Sequence, residues 1–134
     1  MSDSFAIDSS ALPRWQLWTG RVLSALPVLA MLLSGAMKLS HGAAVVQGFA
    51  SFGIPEALIT PIGAVEILCA VLYVIPQTAV LGAILVTGYL GGAIMTHLRA
   101  GQSFAAPLLL GVIAWAGLYL RDARLRAQLP LRRP

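Results

Sequence analysis

Four apolar runs, each long enough to cross a lipid bilayer, constrain the fold of this chain more than any other feature. A membrane-spanning helix needs about 20 mainly apolar residues, and the runs cover about residues 20–39, 57–75, 78–97 and 104–120. Charged residues make up 10% of the chain, against about 25% in a typical soluble domain. The sequence therefore predicts an all-α integral membrane protein folded as a four-helix bundle.

The remaining segments are short and polar. The predicted membrane domain, residues 20–121, lies between a polar N-terminal tail at 1–19 and a basic C-terminal tail at 122–134. In the connection between the first two spans, apolar side chains recur at helical spacing at Val45, Phe49 and Phe52. This pattern predicts a short interfacial or re-entrant helix between spans 1 and 2.

The basic residues are distributed unequally between the two sides of the predicted bundle. An even number of spans places both termini on one side, together with seven basic residues: Arg14, Arg21, Arg121, Arg124, Arg126, Arg132 and Arg133. The opposite side has two, Lys38 and Arg99. The positive-inside rule then predicts a multi-pass protein of the cytoplasmic membrane with cytoplasmic N- and C-termini. The same distribution accounts for the net charge of +4 through contact with anionic lipid, without a nucleic-acid partner.

Three ionisable side chains within or at the ends of the spans are the candidate site. A charged group in a span is costly and is a functional candidate by default, and this applies to Lys38, Glu66 and His97. Because a bundle builds ligand sites from facing helices, we expect the three to line one cavity open to the outer side. Lys38 has an alternative interpretation, since its stem could instead extend outward to water. Possible supporting residues are Ser34, Tyr73, Tyr89, Thr96 and Arg99.

Further motifs are weaker. Gly88 and Gly92 form a G-x-x-x-G pattern, which predicts close packing between helices, within the chain in preference to a dimer. Cys69 is the single cysteine, and its apolar surroundings predict a small buried side chain. No metal motif is present, and a haem held by the two histidines, His41 and His97, is a remote alternative with no supporting pattern.

Several segments together resemble the DoxX-like family of small membrane proteins over about residues 20–121. The similarity depends on the order and spacing of five segments: RVLSALP followed by SGAMKL, then GFASFGIP, IGAVEI, IPQTAVLG and THLR with Gly101. The resemblance implies a four-helix membrane bundle. The family's recurring polar positions look like Lys38, Glu66 and His97 of this chain.

The resemblance also suggests functions. Members of the family include a subunit of a thiosulfate:quinone oxidoreductase and membrane partners of redox-defence complexes, which suggests a quinone- or small-molecule-linked subunit of a membrane redox system. No cofactor is visible in the sequence, a quinone is possible, and the electrons would come from a soluble or membrane redox partner. The alternative is a non-catalytic membrane assembly or partner-recruiting protein in which the polar residues are structural. A homo-oligomer is compatible with either function. A proton-coupled transporter ranks below both, because small exporters of that kind have their glutamate in the first span.

Overall fold

The computed structural model describes residues 12–129, and this part of the chain is helical with no strand. Six α-helices follow one another, and a single turn of 3-10 helix at Glu56–Leu58 leads into the third. The α-helices are α1 (Arg14–Leu39), α2 (Ala43–Ser51), α3 (Ile59–Val74), α4 (Ala79–Arg99), α5 (Ala105–Arg121) and α6 (Ala123–Gln128).

Four of these helices are apolar enough to be the predicted spans. Helix α1, the segment Glu56–Val74 and helix α4 have the length and hydropathy of membrane-spanning helices, and α5 is a shorter apolar helix of 17 residues. The prediction of an all-α membrane bundle with a short helix, α2, between the first two spans is confirmed.

The four long helices form a closed antiparallel ring. Helix α1 packs against α3 and α5, and α4 packs against the same two helices on the other side. Ser24 near the start of α1 lies beside Tyr73 at the end of α3, whereas Gly35 near the end of α1 lies beside Gly63 at the start of α3. The α1 and α4 helices are therefore diagonal to each other across the bundle.

Glycines set the closest approaches between neighbouring helices. A Cβ added to Gly82 of α4 would lie 2.2 Å from the Tyr73 backbone nitrogen of α3. A Cβ on Gly35 would lie 3.1 Å from the Gly63 carbonyl oxygen, and one on Gly20 would lie 2.9 Å from the Gly117 carbonyl oxygen. These contacts fix the register of α3 against α4, of α1 against α3 and of α1 against α5.

The G-x-x-x-G pair of α4 has a different role from the one predicted. A Cβ added to Gly88 or Gly92 would meet nothing within 4 Å, so these two positions make no close helix contact within the described chain. The interpretation of this pair as an intramolecular packing motif is therefore wrong. The spacing alone does not reveal which helix face the pair occupies.

Polar contacts hold together the bundle end at which α1 begins and α3 and α5 end. The Tyr73 hydroxyl donates to the Ala114 carbonyl oxygen at 2.7 Å and lies 2.9 Å from Ser24 Oγ, which joins α1, α3 and α5. Arg121 Nη2 donates to the Tyr73 carbonyl oxygen at 3.1 Å. Polar side chains thus connect three helices at this end.

Both predicted tails are partly helical. Helix α1 begins at Arg14, directly after Pro13, six residues before the apolar run. At the other end, Asp122 caps α6 by accepting hydrogen bonds from the backbone N–H groups of Arg124 and Leu125, as is usual for an aspartate in that position. Residues 1–11 and 130–134, with Arg132 and Arg133 of the charge count, lie outside the described residues.

Candidate ligand-binding site

A buried ion pair joins α1 to α3 at the level of the middle of α3. Lys38 Nζ lies 2.7 Å from Glu66 Oε2, and the two side chains are 12% and 5% exposed. Ser34, one turn before Lys38, accepts a hydrogen bond from Lys38 Nζ at 2.5 Å and donates to Glu66 Oε2 at 3.3 Å. Lys38 and Ser34 both contact Oε2 of the Glu66 carboxylate, and neither contacts Oε1.

The sequence pattern of α3 explains why Glu66 points inward. Its neighbours at helical offsets, Gly63, Cys69, Ala70 and Tyr73, are all buried with it, as the stripe predicts. Lys38 is held in this pair, so its stem turns into the bundle instead of extending only toward water. Each charge thereby has a partner in a region where an isolated charge would be costly.

A cavity of about 530 Å3 lies beside this ion pair, in the half of the bundle nearest α2. We call it the central cavity. Its walls are mainly apolar and come from five helices, with Met31 of α1, Ile62 of α3, Leu90 of α4 and Pro107 and Leu110 of α5 among them. Its polar groups are few: Ser34, Lys38, Glu66, Tyr89, Thr96 and His97. A ligand site typically combines an apolar interior with a small number of placed polar groups in this way.

His97 enters the cavity from the last turns of α4. Its Nδ1 lies 2.8 Å from the Ala93 carbonyl oxygen, and because a carbonyl can only accept, Nδ1 carries the proton of that hydrogen bond. In the neutral imidazole, Nε2 is then the nitrogen that can accept from a ligand. The ring stacks at a tilt on Phe52, with 5.0 Å between ring centroids.

Helix α2 covers the cavity with two aromatic side chains. Phe49 and Phe52 both line it, and Lys38 Nζ lies 5.9 Å from the centroid of the Phe49 ring. The sequence pattern identified these phenylalanines as the apolar face of a short helix, but assigned that face to the membrane interface. No residue of α2 is buried, so the helix rests on the bundle instead of being part of its core.

Two glycines are part of the α4 side of the central cavity. Gly88 and Gly92 line it, whereas Gly91 between them does not. Since a Cβ at any of the three would meet nothing within 4 Å, the two lining glycines leave room for a molecule in the cavity. At these two positions the backbone itself borders the cavity, which leaves space for a planar group.

The structure thus brings Lys38, Glu66 and His97 into the lining of one cavity, with Ser34, Tyr89 and Thr96. Two of the suggested supporting residues lie elsewhere. Tyr73 is 1% exposed and belongs to the packed opposite half, and Arg99 is exposed in the last turn of α4 and does not line the cavity.

The second histidine is also outside the cavity lining. His41 Nε2 lies 2.6 Å from Thr60 Oγ1, and its Nδ1 lies 3.7 Å from Glu56 Oε1. With His97 directed into the cavity and His41 held against the start of α3, the structure gives no support to a haem between them. Within residues 12–129 no group of three or more metal-ligating side chains occurs.

Comparison with known families decides the classification. The model of the DoxX-like family matches residues 22–117, a range that reaches from the first span into the fourth and includes every polar residue of the central cavity. The chain belongs to the DoxX-like family. No curated protein and no solved structure matches the chain. As a DoxX-like protein it is a membrane protein embedded in lipid, and its central cavity lies within the part that defines the family.

Proposed function

We propose that this DoxX-like protein binds a small, largely apolar molecule with a hydrogen-bonding headgroup in its central cavity, as a subunit of a membrane redox system. A quinone is the class of ligand that the side chains suit best. The observation that carries the proposal is a buried, charge-paired polar centre placed in an otherwise apolar cavity of about 530 Å3.

The polar groups around the cavity match the two oxidation states of a quinone. A quinone carbonyl oxygen accepts hydrogen bonds, for which the Lys38 ammonium and the Tyr89 hydroxyl are donors. A quinol hydroxyl donates, for which His97 Nε2 and Glu66 Oε1 are acceptors. Glu66 and His97 are also residue types that exchange protons with a bound ligand. Reduction of a quinone takes up two electrons and two protons, and in this proposal the electrons come from a partner subunit.

The non-polar walls favour the ring and tail of such a ligand. Phe49 and Phe52 line the cavity at the end of α2, and Gly88 and Gly92 of α4 also line it. Flat aromatic and backbone surfaces on two sides are suited to a planar ring. Met31, Leu90 and Leu110 supply apolar contacts for a hydrocarbon tail.

The test measures binding of a water-soluble short-chain quinone to the purified protein in detergent micelles. Gly92→Leu adds a side chain where the ligand would lie, and we expect it to weaken binding about tenfold or more. The matched control is Gly91→Leu, in the same turn of α4 but outside the cavity lining, and it should bind like the unmodified protein. Mass spectrometry of the lipid extract should find a quinone bound to the protein as purified from its membrane.

Unchanged quinone binding in Gly92→Leu would overturn the proposal, as would equal weakening in Gly92→Leu and Gly91→Leu. A partner subunit that co-purifies equally well with the unmodified protein and with Gly92→Leu, together with the absence of a bound small molecule, would favour the assembly-protein alternative.

A further inference from the structure

A second cleft lies at the opposite end of the bundle, among the ends of α1, α3 and α5. Its volume is about 290 Å3, and it shares no lining residue with the central cavity. We call it the arginine cleft, because two arginines line it together with an apolar strip. Its lining includes Arg21, Ser24, Val28 and Leu29 of α1, Val74 of α3 and Arg121 of α5.

The described part of the chain places no carboxylate in ion-pair contact with the two arginines of the arginine cleft. Within residues 12–129 the ion pairs are Lys38–Glu66 and His41–Glu56, so neither Arg21 nor Arg121 is paired in that range. Arg121 is half-buried, and its Nε is buried with no hydrogen-bond partner in the described chain. Uncompensated guanidinium groups at a partly buried site attract an anion more strongly than fully solvated ones do.

Packing fixes one of the two guanidinium groups in place. Arg121 Nη2 donates to the Tyr73 carbonyl oxygen at 3.1 Å, and its guanidinium carbon lies 5.1 Å from the centroid of the Tyr73 ring. Arg21 is exposed, and its guanidinium carbon lies 5.6 Å from the Trp18 ring centroid. The cleft therefore has one held and one adjustable cation, and guanidinium groups bind phosphate oxygens through paired N–H donors.

The other wall of the cleft is apolar and open to the membrane. Leu29 is 64% exposed and Val74 is 52% exposed, and on a four-span membrane bundle such side chains face lipid. A molecule that fills the whole cleft must therefore be anionic at the arginine end and hydrocarbon along Val28, Leu29 and Val74. An inorganic phosphate would satisfy the first requirement and leave the apolar strip uncovered.

We infer that the arginine cleft is a binding site for one anionic phospholipid, with its phosphate between Arg21 and Arg121 and an acyl chain along Leu29 and Val74. Basic clefts between membrane helices are known to hold anionic headgroups. The inference is independent of the ligand in the central cavity.

The experiment compares lipids of different charge on the intact, purified protein. Native mass spectrometry counts bound lipid in micelles that contain either phosphatidylglycerol or phosphatidylcholine, and thermal unfolding is measured in the same samples. Phosphatidylglycerol should remain bound and raise the unfolding temperature, whereas phosphatidylcholine should do neither. Inorganic phosphate added to the phosphatidylcholine samples should produce no shift.

Substitutions that each remove one positive charge distinguish binding in the arginine cleft from a general attraction of lipid to the basic residues at this end. Arg21→Gln should weaken phosphatidylglycerol binding about tenfold, the value expected when one charged hydrogen-bond donor is lost. Arg14→Gln is the matched control, because Arg14 is on the same helix, is exposed and lines neither cavity. Arg121→Lys keeps the charge and removes the paired donors, and it should weaken binding in the same direction.

Three results would overturn the inference. Equal loss of binding in Arg14→Gln and Arg21→Gln would mean a diffuse attraction to the basic end. A thermal shift with inorganic phosphate would mean a free-anion site, and the absence of any preference for phosphatidylglycerol would mean no anionic-lipid site. None of these results bears on quinone binding in the central cavity.

Discussion

The contact among Lys38, Ser34 and Glu66 shows how one chain can carry two opposite charges inside a bundle. The spacing of Ser34 and Lys38 puts both on one face of α1, and the stripe around Glu66 predicts an inward carboxylate. The sequence could not predict that the groups meet, because that depends on how far α1 slides along α3. The close approach of Gly35 and Gly63 sets this register.

We expect strong coupling between Lys38 and Glu66. Removing one partner of a buried pair leaves an uncompensated charge and costs about 3 kcal/mol or more, so Lys38→Met and Glu66→Gln should each lower the free energy of unfolding by roughly that amount. The double variant should lose less than the sum, since neither charge remains. Thermal unfolding of the four proteins in detergent measures the coupling.

A surface ion pair offers the control for this double-mutant cycle. Glu56 is 64% exposed and lies 3.7 Å from His41, and an exposed pair of this kind contributes about 1 kcal/mol or less. Glu56→Gln should therefore change the unfolding temperature little. Additive losses in Lys38→Met and Glu66→Gln would contradict the coupling.

Gly82 and Gly91 lie on different faces of α4, and we expect an alanine substitution to have opposite effects on stability at the two positions. Gly82→Ala would place a Cβ 2.2 Å from the Tyr73 backbone, so α3 and α4 would have to separate. We expect a large loss of stability, about 2 kcal/mol or more. Gly91→Ala has open space around the new atom and gains about 0.8–1 kcal/mol in helix propensity.

Unfolding temperatures of the two alanine variants, measured in the same detergent, provide the comparison. Gly82→Ala should unfold at a lower temperature than the unmodified protein, and Gly91→Ala at the same or a higher one. If Gly82→Ala were as stable as Gly91→Ala, the close packing of α3 against α4 would be refuted.

Helices α1 and α2 show where sequence reasoning reaches its limit at the scale of elements. Hydropathy measures transfer into lipid and not helix formation, so the apolar run begins at residue 20 while α1 begins at Arg14. The apolar face of α2 was predictable from the spacing of Val45, Phe49 and Phe52. Its role as a cover for the cavity was not, because the same face would suit either lipid or protein.

For the whole molecule, the seven-to-two distribution of basic residues predicts that both termini are cytoplasmic. Single cysteines at Ser103 and Gln128, in a background with Cys69→Ala, test this with a membrane-impermeant thiol reagent applied to intact cells. Ser103→Cys should be labelled, and Gln128→Cys should be labelled only after the cells are opened. If the reagent applied outside labelled Gln128→Cys and not Ser103→Cys, the orientation would be the inverse of the predicted one.

We expect the fifth helix to give the membrane around this protein an uneven thickness. At 1.5 Å per residue, the 17 residues of α5 span about 25 Å, against a hydrocarbon layer of about 30 Å. Because α1 and α4 are longer, and α3 together with its leading 3-10 turn covers 19 residues, we expect lipid to thin beside α5 and not beside the other helices. A difference between helix length and bilayer thickness costs a fraction of a kcal/mol per ångström. Short-chain lipids should therefore gather along the α5 face. In a thicker bilayer, the mismatch should be largest at α5.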